Sequence, residues 1–98
     1  MYVNIGGDFS VRADTLVGIF DLDNTTCSRW TRRFLVRAQE AGQLVETADT
    51  LPKSFLVTHE FGIRRVYLTR YNAAVLEKRF AQARSDSYPI PAKEQQYE

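Results

Sequence analysis

Apolar and polar residues alternate through Tyr2-Val3-Asn4-Ile5 and again near Phe9 to Arg12, a pattern that predicts two short strands. Between them, Gly6-Gly7-Asp8 supplies residues that tolerate the backbone of a tight hairpin turn. Ala13-Asp14-Thr15 then turns the chain into a third strand, Leu16 to Asp21. That strand is apolar on both faces, which predicts a central place in its sheet, and Gly18 inside it predicts a bulge or the close approach of another backbone.

The period then changes. Trp30, Phe34, Ala38 and Ala41 recur at spacings of three and four, with Cys27 and Leu35 on the flank, and predict an amphipathic helix from about Cys27 to Ala41. Asn24, Thr25 or Thr26 is expected to cap its start and Gly42 to close its end. Gln43 to Glu46 reads as a short strand and Thr47 to Pro52 as a loop. Phe55 to His59 and Arg65 to Thr69 read as an antiparallel pair with Phe55, Val57, Val66 and Leu68 inward and a turn at Gly62. A second helix is expected over about Asn72 to Ala83, capped by Asn72 and covering the sheet with Leu76 and Phe80. Periodicity ends at Ser85, and Tyr88-Pro89-Ile90-Pro91 followed by a polar run predicts a flexible C-terminal tail. The expected fold is α+β: one domain over residues 1–84, a small mainly antiparallel sheet packed with two helices, followed by a tail over 85–98.

Composition narrows the class. Ninety-eight residues build one small core, so help from a partner subunit is expected. No apolar run reaches the ~18 residues that span a bilayer, and Met1 to Asn4 lacks the basic start of a secretion signal, so a cytoplasmic protein is expected. Cys27 is the single cysteine and has no disulfide partner within the chain. Net charge is only +1, but residues 1–28 carry −3, residues 29–84 carry +6 and residues 85–98 carry −2. Such asymmetry points toward a polyanionic partner.

Two sets of cations stand out. Arg12, Lys53, Arg64 and Arg65 fall at or beside predicted strand ends, where loops from one edge would converge to meet a phosphate backbone. Arg29, Arg32 and Arg33 lie off the apolar face of the first helix and Arg37, four residues after Arg33, nearer the core boundary, either as a solvated face screened by acids such as Glu40 or as a surface for phosphates or an acidic neighbouring subunit. Phe20-Asp21-Leu22-Asp23-Asn24-Thr25 also looks like the nucleophile motif of haloacid dehalogenase-like phosphatases, with Asp21 as nucleophile and Asp23 as acid/base. The parallel sheet, distant lysine and second acidic pair that such chemistry requires do not follow it. No enzyme activity, catalytic residue, metal or other cofactor, or small-molecule substrate is expected, since His59 and Cys27 also lack supporting groups. The residues alone leave nucleic-acid binding and pure protein–protein scaffolding level.

The order of segments adds a resemblance. Asn4-Ile5-Gly6, Ile19 to Thr26, Gly42-Gln43-Leu44-Val45 and Leu51-Pro52-Lys53-Ser54-Phe55 together resemble the bacterial extracellular matrix regulators RemA and RemB, the RemB branch most closely, from Met1 to about Phe80. The resemblance implies a DNA-binding transcriptional regulator of biofilm matrix genes that assembles into rings of identical subunits, with DNA on a basic surface. In the RemA branch, arginines stand just before the third strand and in the loop ahead of the strand matching Phe55 to His59. Here those places hold Thr15 and Leu51-Pro52-Lys53-Ser54, so only Lys53 keeps a positive charge there, and Arg12, Lys53 and the Arg64-Arg65 pair stand in for those arginines on positional grounds.

Overall fold

A computed structural model describes residues 1–22 and 28–87. Strands β1 (Tyr2–Gly6) and β2 (Phe9–Arg12) form an antiparallel hairpin, and a 3-10 turn over Ala13–Thr15 leads to β3 (Leu16–Asp21). Helix α1 (Arg29–Glu40), strands β4 (Leu44–Glu46), β5 (Ser54–Glu60) and β6 (Ile63–Thr69), and helix α2 (Ala73–Ser87) follow. The second sheet has the order β3-β5-β6-β4. Its β3–β5 and β5–β6 pairs are antiparallel and its β4–β6 pair is parallel. The fold is α+β with mainly antiparallel strands, as the periodicity predicts.

Each boundary has a local cause. In the first turn the Asn4 side-chain amide donates to the Gly7 carbonyl at 3.0 Å and to that of Phe9 at 3.3 Å. Gly6 has φ 139°, and a Cβ there would lie 2.8 Å from Thr47 Oγ1, so the hairpin reaches the main sheet only because this residue has no side chain. Ser28 caps α1 by accepting from the Thr31 N–H at 3.2 Å. At its other end Gly42 adopts φ 73°, the Gln43 N–H bonds the Ala38 carbonyl at 2.8 Å, and the Gly42 N–H bonds that of Gln39 at 3.1 Å. Asn72 Oδ1 accepts from the Val75 N–H at 2.9 Å and starts α2.

The main sheet is covered on both faces. On one, Phe55, Val57 and Val66 pack with Ala38 of α1 and with half-buried Phe34, Leu35, Leu44 and Leu68. On the other, Leu56 packs with Val3, Ile5 and Val11 of the hairpin and with Leu76, Phe80 and Ala83 of α2. The inward set read from the sequence forms the first face, and Leu56 makes β5 two-sided. Thr69 ties the layers: its buried hydroxyl donates to the Ile5 carbonyl at 2.6 Å and accepts from the Tyr71 N–H at 3.1 Å.

Four expectations need correction. β3 is an edge strand rather than a central one, because β5 takes the interior place and leaves Val17 exposed and Phe20 half-exposed. The expected bulge is present, with the β3–β5 register shifting between Leu16 and Gly18. The apolar face of α1 is narrower than its spacing suggests: Ala38 is buried, but Ala41 is exposed and Trp30 is 81% exposed, because the helix packs over β4 and β6 and not over the β3 edge. The described cap is Ser28, two residues beyond the nearest expected one, and α2 continues to Ser87 rather than ending near Ala83. Asn24, Thr25 and Thr26 as caps, Cys27 as the helix start, Asp23, and the tail beyond residue 87 lie outside the described residues.

Replacing Thr69 by valine keeps its shape but strips a partner from the Ile5 carbonyl and from the Tyr71 N–H. The expected loss is about 1–3 kcal/mol of unfolding free energy, read from the urea midpoint at unchanged slope. An unchanged midpoint would show that the hydroxyl does not hold the layers together.

Candidate nucleic-acid interface

Helix α1 carries the densest charge. Arg29, Arg33 and Arg37 recur every fourth residue, with Arg32 beside them, and all four are exposed. Like charges at this spacing repel by a few tenths of a kcal/mol per pair, and cations in the first turn oppose the helix dipole. No acidic residue occupies the first turn, and Glu40 is the single acid in the helix. Among the described residues, neither of the two ion pairs involves these arginines. The result is a cationic stripe with little internal compensation.

The four strand-end cations do not converge. Lys53 stands immediately before β5, where its N–H bonds the Thr69 carbonyl at 2.9 Å. Arg12, Arg64 and Arg65 gather at the other end of the sheet, and the seven residues of β5, at about 3.4 Å each, separate the two ends by roughly 20 Å. Strand alternation divides the near trio again. Arg64 pairs with His59 and faces the α1 side, beside Trp30 and Thr31, whereas Arg65 pairs with Thr58 and shares the hairpin side with Arg12. Arg12 is engaged internally, bonding Asp14 at 3.0 Å and Glu60 at 3.1 Å. The charge of Asp14 first and of Glu60 second pushes its pKa higher still. Thr15 is buried, and its hydroxyl donates to the Arg12 carbonyl at 2.8 Å.

Sequence reading missed a cluster at the Lys53 end. The Arg79 guanidinium lies over the Tyr71 ring at 4.5 Å and that of Arg70 at 5.4 Å, and Arg79 also donates to the Asn4 carbonyl at 3.1 Å. Arg70 and Tyr71 follow β6 and Arg79 is on α2, so tertiary packing assembles the group. The one signal available from the chain was Arg79 seven residues after the capping Asn72, two turns along one face of α2. Arg70 also lies near Glu46 and Asp49 in a shallow polar hollow, which offsets part of its field.

Between α1 and the β3 edge runs an apolar groove of about 370 Å³. Phe55 forms its floor, stacked on Phe20 at 5.0 Å and on Phe34 at 5.8 Å between ring centres. Val17 and Trp30 form its walls, and His59 and Arg64 lie at one end. As for the phosphatase-like turn, Asp21 ends β3 and Asp23 lies outside the described residues; among those described, no group of three or more His, Cys, Asp or Glu side chains is arranged to hold a metal. Among the described residues no helix is long and apolar enough to cross a membrane.

No family model matches the sequence. Among curated proteins, the chain is 30% identical over 79 residues, 81% of its own length and 89% of the relative's, to extracellular matrix regulatory protein B of Bacillus subtilis (strain 168).

Hydrogen bonding from Arg70, and then from Arg79, lowers the pKa of Tyr71 below the usual 10.0 of tyrosine. A depressed acid pKa adds stability that is complete above the unfolded value and is lost as pH falls through the folded one, so this contribution grows as pH rises through that window. Absorbance titration at 295 nm is expected to lose a tyrosine step below 10 in Tyr71→Phe and to show that step shifted upward in Arg70→Gln; a titration that neither variant changes would overturn the assignment.

Proposed function

Because this chain belongs to the RemA/RemB family of extracellular matrix regulators, we propose that it controls transcription of matrix genes by binding DNA as a ring-like homo-oligomer in the cytoplasm, without catalysis. The observation that carries the DNA contact is the α1 stripe of Arg29, Arg32, Arg33 and Arg37, exposed and outside the ion pairs of the described residues. A phosphate backbone supplies the missing anions without any base being read, and repetition around a ring multiplies a modest charge per subunit. Arg64 extends the stripe because it faces the same side of the sheet. Lys53 adds charge at the far end of the sheet. Arg12 is held by two carboxylates and Arg65 faces the hairpin side, so both contribute less to this surface.

This reading moves the DNA surface away from the RemA positions. One is occupied by buried Thr15, which has no charge and no exposed surface to offer; the other retains Lys53 alone. The absence of catalysis is supported by the setting of Asp21. It ends an edge strand whose neighbour β5 is antiparallel, whereas the phosphatase pattern requires a parallel sheet. The alternative of an interaction scaffold that ignores DNA draws its support from the apolar groove, a surface suited to protein and not to phosphate.

Anisotropy of a labelled short duplex, measured across a salt series, separates the two readings. The DNA-binding reading expects affinity to fall steeply with salt, Arg33→Gln to lower the log–log slope by about 1 per bound subunit, and the pair Arg33→Glu and Arg37→Glu to abolish binding. A wild-type protein that assembles but leaves the duplex free would establish the scaffold instead. Binding with an unchanged slope in both variants would remove α1 from the interface.

A further inference from the structure

The β5–β6 hairpin closes through a two-residue turn, Phe61-Gly62, in which both residues have positive φ, 55° and 75°. Turns of this geometry favour asparagine or glycine at the first position, because a bulky side chain there crowds its own backbone. Phe61 accepts that strain and is also 86% exposed, so burial within its own subunit returns nothing. Half-exposed Ile63 stands next to it. A strained, solvent-facing aromatic persists where some other contact uses it.

The same chain presents a matching hollow. The groove beside β3 is walled by Trp30, 81% exposed, and Val17, 65% exposed, over the stacked rings of Phe20, Phe55 and Phe34. A pocket of aromatic and branched side chains with an exposed tryptophan on its rim is the setting in which a single inserted ring becomes an anchor.

We propose that Phe61 of one copy of this chain inserts into the Val17–Phe20–Trp30–Phe34 groove of a second copy. The proposal rests on the homo-oligomer reading above and supplies its contact. A small apolar ligand would account for the groove but not for the strained, exposed Phe61; a second copy accounts for both. Knob and hole are different surfaces of one chain, so the contact either closes reciprocally in a pair or repeats head to tail around a ring.

Trp30 is the only tryptophan and lies in the groove wall, so its emission reports whether the groove is filled. In the wild type, light scattering is expected to give multiples of 11.3 kDa, with Trp30 emission shifting to the blue as protein concentration rises. Phe61→Asn suits the turn, so the subunit folds at least as well. It is expected to weaken association by about tenfold or more and to keep the emission red where the wild type is blue. A photo-crosslinking residue at position 61 is expected to join a peptide containing Val17 or Trp30 from another copy. Wild-type association that Phe61→Asn leaves intact, or a crosslink that maps elsewhere, overturns this contact while the homo-oligomer stands. A wild type that stays at the mass of one subunit throughout overturns both.

Discussion

Strand β5 is apolar on both faces, and each face demands a different cover. Phe55 and Val57 require α1, whereas Leu56 requires the N-terminal hairpin and α2 together. No single element of so short a chain spans both sides, so its order is dictated by this division. The hairpin comes first, the β3-α1-β4 crossover wraps one face, and α2 returns to seal the other. The Thr69 hydroxyl, bonded to Ile5 across 64 positions of sequence, joins the hairpin to the sheet in the interior where an unpaired carbonyl would be most costly.

The same alternation that builds the core sorts the charge. Adjacent in sequence, Arg64 and Arg65 point to opposite faces, so a pair that reads as one basic spot becomes two unrelated ones. Asp14 and Glu60 then hold Arg12, and the hairpin face loses much of its attraction for an anion. What remains is a helix whose arginines repeat at its own period, aligned because 3.6 residues complete a turn. The cationic surface is thus a property of α1 more than of the loops.

Features governed by neighbours in sequence were legible from the start. The limits of β2 and β3, the bulge near Gly18, the left-handed Gly42 and the Asn72 cap each follow from a residue acting on its own backbone. The rank of a strand within its sheet does not. β3 and β5 are both apolar on two faces, and only the competition for partners places β5 inside and β3 at the edge. Likewise Trp30 fits the helical spacing, but spacing cannot tell that α1 stops short of the β3 side. The Arg70-Tyr71-Arg79 cluster was hidden because its members come from separate elements, and Phe61 because residue type alone does not reveal a positive φ.

The irregularity at Val17 also blunts the open edge of β3. An edge strand with exposed valine and phenylalanine invites another strand to zip onto it by backbone hydrogen bonds, an association without a fixed end. The register shift before Gly18 breaks the even ladder of N–H and C=O groups that such zipping copies. Side chains on the face remain available for a specific contact, while the backbone edge is a poor template. Straightening that bulge would favour open-ended sheet growth, so the feature that most interrupts the strand is the one that keeps its stickiness finite.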